Sequence, residues 1–306
     1  MAHKNRFITG IYELLYNISP KLLLRLRFLS YFSYYRKFLS FKNPITLDEK
    51  IQWLKLNYYD GNKLICQCAD KYAVRDYIVK CGCEDILVNL IGVYDNACEI
   101  DWDSLPNKFV VKWNFGCGHN LICRDKSQLD YDKATKILNT WKKDSNSFYK
   151  WGAEMQYKKI VPKLIIEEYI ETENNLAPVD YKCYCFHGEP YCILTCTGRE
   201  SGSPKFYLVD KNWNLLRLNK AGLDAPDGYT PFKPDGYEQI FQYAKILSKD
   251  FPFVRADFYI ERGKVYFGEL TFSPGNGFDY NRLLSTNELF GSMLHLDRLD
   301  MYNKSI

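Results

Sequence analysis

From Val254 to Ile260 apolar and polar residues alternate, with Val254, Ala256, Phe258 and Ile260 on one side and Arg255, Asp257 and Tyr259 on the other. A period of two marks a half-buried strand, one face against a core and the other free for chemistry. With Gly263 behind it and a second strand-like run ending at Thr271, the segment reads as a hairpin. A three-residue loop, Arg262 to Lys264, with Gly263 left-handed, sets Asp257 opposite Glu269, Tyr259 opposite Phe267 and Arg255 opposite Thr271. A two-residue loop slips the register by one and turns Glu269 to the other face. Facing carboxylates, their Cβ atoms about 5 Å apart, repel unless something positive stands between them. Two groups answer that demand: a hard cation such as Mg2+, which takes one or two carboxylates together with substrate phosphates, or Arg255 as a structural ion pair. The polar Ser273-Pro274-Gly275-Asn276-Gly277 loop at the open end favours the metal, with Asn276 offering a further oxygen.

Elsewhere the pattern predicts two or three amphipathic helices over residues 8–57, broken at Asn43-Pro44. Thr46-x-x-Glu49 forms a capping box for the helix carrying Ile51, Trp53 and Leu54. A helix follows near 71–80, a strand at 86–94, and a strand, Gly-rich turn and strand over 107–123. Residues 128–142 return to helical spacing through Ala134, Ile137, Leu138 and Trp141, and Lys163 to Ile170 is a buried strand ending in acids. Hairpins around His187-Gly188-Glu189-Pro190 and Asp210-Lys211-Asn212, then a helix at 236–248, lead to the carboxylate hairpin. Sheets with segregated helices indicate an α+β fold.

Charge changes the picture at one end only. Residues 1–45 hold eight Lys or Arg and one acid, while the remainder holds 33 basic and 36 acidic residues. The basic residues alternate with Leu22, Leu23, Leu24, Leu26, Phe28, Leu29, Phe32 and Phe38, a composition suited either to an anionic membrane surface, through residues 1–40, or to ordinary helices packed on the protein. No apolar run reaches the ~18 residues of a spanning helix, and no signal peptide is visible, so the expected location is the cytoplasm, at the inner face of the membrane. No nucleic-acid partner is expected. Eleven cysteines, an odd number without signs of secretion, imply reduced thiols. Cys66-x-Cys68 and Cys81-x-Cys83 lack zinc spacing and a nearby histidine.

In Lys112-Trp113-Asn114-Phe115-Gly116-Cys117-Gly118-His119-Asn120 the glycines let backbone N–H groups approach a phosphate chain and Lys112 supplies charge. Alone, such a G-x-G serves a tight turn just as readily. It is neither a Walker motif nor a dinucleotide fingerprint.

Taken in order, Lys112 with its Gly loop, Glu167-Glu168-Tyr169-Ile170, Asp180-x-Lys182, Asp257 and Glu269 resemble the ATP-grasp superfamily. The resemblance is closer to its teichuronopeptide-biosynthesis branch, carried by NPITLDEKIQWLKL, ADKYAVRDYI, LPNKFVVKWNFGCGHN, IIEEYI, DYKCYCFHGEP, DKNWNLL and FPFVRADFYIERGKVYFGELTFSPGNGF, over roughly residues 43–278. It implies two antiparallel sheets clamping a nucleotide behind an N-terminal helical segment. The implied parts are a basic helical segment at 1–45, an N-terminal α/β part at 46–105, a small subdomain with the Gly loop at 106–170 and a large one with the metal site at 171–306.

By this resemblance ATP and Mg2+ are the cofactors. Lys112, Gly116, Gly118, His119 and Asn120 lie along the phosphates; Glu167, Glu168, Tyr169 and Ile170 form the adenine hinge; Asp180 and Lys182 hold ribose and phosphate. Asp257 and Glu269 ligate the metal, with Thr271 or Asn276 completing the shell, since many relatives place Asn where this chain has Thr271. Arg255, Lys182 and Lys205 are the catalytic candidates, Arg255 for its fork of donors toward a carboxylate or acyl phosphate. The implied activity is an ATP-dependent carboxylate–amine ligase in surface polysaccharide assembly, its partners a small-molecule or saccharide carboxylate and an amine. A glycosyltransferase and a non-catalytic nucleotide-binding module are the rivals.

Overall fold

The computed structural model describes residues 6–172, 178–198 and 202–305. Residues 173–177, between the expected strand at 163–170 and Asp180, therefore lie outside the described residues. Helices α1 (Arg6–Ile18), α2 (Pro20–Ser30), α3 (Phe32–Tyr35), α4 (Leu47–Asn57), α5 (Lys63–Ala69) and α6 (Val74–Lys80) open the chain. Strands β1 (Leu90–Tyr94), β2 (Phe109–Trp113) and β3 (Asn120–Cys123), helix α7 (Tyr131–Lys142) and β4 (Leu164–Glu168) follow. Then come β5 (Asp180–Phe186), β6 (Glu189–Thr197), β7 (Lys205–Val209), β8 (Leu215–Leu216), α8 (Lys220–Leu223), α9 (Tyr237–Ser248), β9 (Phe253–Glu261), β10 (Lys264–Thr271) and α10 (Leu284–Met293). The strands form two antiparallel sheets, in orders β1-β4-β2-β3 and β10-β9-β5-β6-β7-β8. The expected α+β class with two antiparallel sheets is thus the observed one. The chain divides into two compact units, residues 1–24, 55–77 and 87–170 in one and residues 25–54, 78–86 and 171–306 in the other.

In the first unit Phe109, Val111 and Trp113 of β2 and Leu164 and Ile166 of β4 share a core with Ala134 and Leu138 of α7. Alternation then throws Val110, Lys112, Ile165 and Glu167 to the opposite side of the sheet. In the second unit Cys183, Cys185, Val254, Ala256 and Phe258 are buried, and the Cys185 thiol reaches the Ala244 carbonyl of α9. The other face of β5, β9 and β10 carries Asp180, Lys182, Arg255, Asp257, Glu269 and Thr271. Free thiols are found at all eleven cysteines, and Cys183 and Cys185 sit side by side in the core, Sγ to Sγ 4.0 Å.

Several elements differ from the pattern reading. The strand expected at 86–94 starts at Leu90, behind a 3-10 turn at Glu84–Ile86. The helix expected at 71–80 starts at Val74, because the Asp70 side chain caps the backbone N–H groups of Tyr72 and Ala73 instead. Helix α5 has no counterpart in the sequence reading; its start is capped by Asn62, which accepts from the Ile65 N–H. The Thr46/Glu49 capping box forms as expected: Glu49 accepts from the Thr46 N–H at 3.0 Å and Thr46 Oγ1 from the Glu49 N–H at 3.3 Å.

The carboxylate hairpin carries the most instructive correction. Its loop has two residues, Arg262 and Gly263, with φ of 51° and 74°, so Lys264 pairs with Glu261 and Tyr259 with Tyr266 rather than Phe267. Left alone, that register turns Glu269 away from Asp257. A β-bulge at Gly268 adds one residue to β10 and restores the expected pairs Asp257–Glu269 and Arg255–Thr271. A glycine is needed there, since a Cβ would come within 2.9 Å of the Asp257 carbonyl oxygen.

Candidate active-site clusters

On the open face of the larger sheet, Lys182 stands opposite Asp257 and Tyr184 opposite Arg255, with Asp257 in turn opposite Glu269. Asp257, only 3% exposed, accepts from Arg255 Nε at 2.7 Å, Arg255 Nη2 at 2.6 Å and Lys182 Nζ at 2.9 Å. Arg255 Nη2 also donates to Thr271 Oγ1 at 3.3 Å, which donates to Glu269 Oε1 at 3.0 Å. Asp180 joins through Lys182 at 3.6 Å. The result is one continuous chain of charges, Asp180, Lys182, Asp257, Arg255, Thr271 and Glu269. Burial opposes the charge of Asp257, but the Arg255 guanidinium and the Lys182 ammonium outweigh it and hold the carboxyl below the usual carboxylate range.

Both alternatives posed by the facing carboxylates are thus relevant: Arg255 does neutralise Asp257. It leaves Glu269 facing it with a hydroxyl contact, so the cluster holds three carboxylates and two cationic side chains. The donors are hard oxygens throughout, which suits Mg2+ and not a thiolate- or imidazole-seeking metal. Among the described residues no group of three or more His, Cys, Asp or Glu side chains is placed to hold a metal by itself; two carboxylates, with phosphates supplying the rest, are the usual protein share for Mg2+. Asn276 lies in the Pro274–Gly277 turn with φ of 60°, its main-chain oxygen held by Gln52 Nε2 at 3.0 Å. Lys205 stands apart, exposed at the first residue of β7, two strands from β5.

In the other unit Lys112 and Glu167 are diagonal neighbours on β2 and β4. Lys112 Nζ meets Glu167 Oε2 at 2.6 Å, and Arg75 Nη1 meets Oε1 at 3.3 Å. Glu167, expected at the adenine hinge, is therefore a buried carboxylate that aims two cations, while Glu168 is exposed and accepts from Asn89 Nδ2 at 3.0 Å. Tyr169 accepts from Arg124 Nε at 3.2 Å, and Ile170 is half-buried at the end of the strand. In the turn after β2, Gly116 and Gly118 have φ of 65° and 81°, and Asn120 pairs with Lys112 in the ladder. His119 points away from solvent, 3.2 Å from Asp144 Oδ2 and among the rings of Phe115, Trp141 and Phe148, so it anchors the loop from below.

Two residues of this cluster had no role assigned from the sequence. Lys71 donates its N–H to the Asn114 carbonyl at 3.0 Å and its ammonium to the Gly116 carbonyl, tying the loop to the turn that precedes α6. Arg75 braces Glu167 and donates to the Val88 carbonyl at 2.9 Å. Both lie in ADKYAVRDYI, Arg75 in the first turn of α6 and Lys71 in the turn before it.

Two antiparallel sheets, one with a lysine-stemmed Gly loop and one with facing carboxylates, are the frame of the ATP-grasp class. The chain belongs to the TupA-like ATPgrasp family, whose model matches residues 49–295. Among solved structures it is similar to the D-alanine–D-alanine ligase from Bacillus anthracis complexed with ATP, at 17% identity over 78% of this chain and 65% of that one, TM-score 0.44. It is similar also to the D-alanine–D-alanine ligase from Coxiella burnetii, at 14% identity over 85% and 63%, TM-score 0.41, and to the D-cycloserine synthetase DcsG, at 12% over 76% and 70%, TM-score 0.42. The chain thus spans slightly less than two thirds of the length of the two alanine ligases. No curated protein matches it.

Proposed function

We propose that this protein is an ATP- and Mg2+-dependent carboxylate–amine ligase of surface polysaccharide assembly, working on the cytoplasmic side of the membrane. The observation that carries the reading is the charge chain on β5, β9 and β10, in which two facing carboxylates and two cations converge on one sheet face. In the proposed reaction a carboxylate oxygen of the acid substrate attacks the γ-phosphorus of ATP and ADP leaves. The amine nitrogen then attacks the acyl carbon, phosphate leaves, and the nitrogen loses a proton.

Asp257 and Glu269 are the residues to hold Mg2+, with Thr271, whose hydroxyl lies 3.0 Å from Glu269, or Asn276 to complete the shell. The ion supplies neutralisation of phosphate charge and orientation of the transferring group. Arg255 is assigned to the acyl phosphate through Nη1, the guanidinium nitrogen that Asp257 and Thr271 do not take, and Asp257 sets the plane of the group through its two contacts. Lys182, held by Asp257, steadies the transferring phosphoryl group. Lys112, aimed by Glu167, and the backbone of Gly116 to Asn120, fastened by Lys71 and His119, serve the phosphate chain. Asp180 is assigned to the ribose, and Glu168, Tyr169 and Ile170 to the adenine side.

The test is turnover of ATP by the full chain with Mg2+ and panels of uronic and amino acids, with products identified by mass spectrometry. The reading expects ADP and an amide-linked product only when acid and amine are both present. Binding of ATP without turnover under any pairing favours a non-catalytic nucleotide module, and a thermal shift by a uridine diphosphate sugar instead of ATP favours glycosyl transfer.

A further inference from the structure

Helix α1 is built inside out. It docks on the 3-10 segment Phe148–Gly152 through its polar and aromatic side: Thr9 is buried, Glu13 Oε1 accepts from Trp151 Nε1 at 2.9 Å, and Tyr16 packs edge-on against Tyr149 at 5.5 Å with its hydroxyl on Met155. Phe7, Ile11, Leu14 and Ile18 follow one another at steps of four, three and four, and at about 100° per residue they form a single stripe on the side opposite to Thr9, Glu13 and Tyr16. That stripe is exposed to 74%, 40%, 61% and 65%. An ordinary surface helix buries its apolar stripe and shows its polar one; a reversed helix leaves an apolar ridge that water penalises.

We infer that this ridge seats α1 in the interface of an anionic membrane, lying in its plane. The choice of occupant rests on charge. The only acid in residues 1–24 is Glu13, and it is turned inward to Trp151, whereas Lys4, Arg6 and Lys21 share that stretch. An apolar stripe without acids, in a basic segment, matches an anionic lipid surface better than a second copy of the same basic segment. No helix among the described residues is long and apolar enough to cross a membrane, so the contact is peripheral. In α2, Leu22, Leu26 and Leu29 are exposed, while Leu23, Leu24 and Phe28 are buried. That burial means removal of residues 1–40 takes core residues with it, so point substitutions on α1 are the appropriate probe.

The inference stands apart from the ligase reading, and its experiment does not use turnover. The full chain is sedimented with vesicles of phosphatidylcholine alone and of phosphatidylcholine with phosphatidylglycerol. The wild type is expected to pellet with the anionic vesicles and less at high salt, while Leu14→Glu with Ile18→Glu lowers the vesicle partition about tenfold with ATP affinity and circular dichroism unchanged. The milder pair Leu14→Ser and Ile18→Ser serves if the glutamates disturb folding. Wild-type protein that stays in the supernatant with both vesicle types overturns the inference. So does a wild-type dimer that the substitutions convert to monomer without any vesicle binding, since the stripe is then a self-interface.

Discussion

The Asp257 and Glu167 clusters are built alike and charged oppositely. Each places a buried carboxylate on the sheet face turned away from the helix-packed core, and each gives that carboxylate two cationic partners, Arg255 and Lys182 in one case, Lys112 and Arg75 in the other. The Asp257 cluster adds Asp180 and Glu269, so its named acids outnumber its named bases by one, a surplus that attracts a cation. The Glu167 cluster has the reverse surplus, beside a Gly loop already fastened by Lys71, and an anion improves its balance. The same strand geometry thus carries an excess of acid in one cluster and an excess of base in the other, which is why the proposed function assigns the metal to the first and the phosphates to the second.

The sharpest way to break this comparison is to remove the facing acids. Glu269→Gln should eliminate Mg2+-dependent turnover, as should Asp257→Asn. The second change also strips Arg255 and Lys182 of their shared partner and is expected to cost about 3 kcal/mol in a denaturant melt, the scale for breaking a buried pair. Turnover retained by both variants would leave the metal assignment without support.

Lys112→Ala tests the opposite sign. Calorimetry should show ATP affinity reduced about tenfold to a hundredfold, the worth of one charged contact to phosphate. Wild-type affinity removes Lys112 from the phosphate site. Gly268→Ala drives a Cβ toward the Asp257 carbonyl oxygen, with an expected loss of about 1 to 3 kcal/mol in thermal or urea melts.

The pH dependence follows the sign of the Asp257 shift. A carboxyl held below its unfolded value, about 3.9 for aspartate, contributes stability that is complete above that value and is lost as pH falls through the lower folded one. The stability gap between wild type and Asp257→Asn should therefore stay flat from neutral pH to about 4 and close only below it. A gap that closes near pH 6 contradicts the ion-pair account. Least of all should Lys205→Ala matter: an exposed residue at the start of β7, outside the charge chain, is expected to change turnover by less than about twofold and stability by less than about 0.5 kcal/mol.

The alternation of Val254 to Ile260 and the Thr46/Glu49 capping box were legible because each depends on neighbours within a few residues, whereas the order of lysine, Gly loop and acids from Lys112 to Glu269 was legible only as a family resemblance. The facing of Asp257 and Glu269 was legible too, but by a route the pattern did not contain: a two-residue turn and a bulge at Gly268 reach the register that a three-residue turn was expected to give. What only the tertiary structure decided lies in contacts between distant residues. Lys182 meets Asp257 and Arg75 meets Glu167 across 75 and 92 positions, pairings set by which strands and helices become neighbours. Likewise α1 turned its polar side inward because Trp151 and Tyr149 met it there, and periodicity reports that a helix has two faces without saying which one the protein will cover.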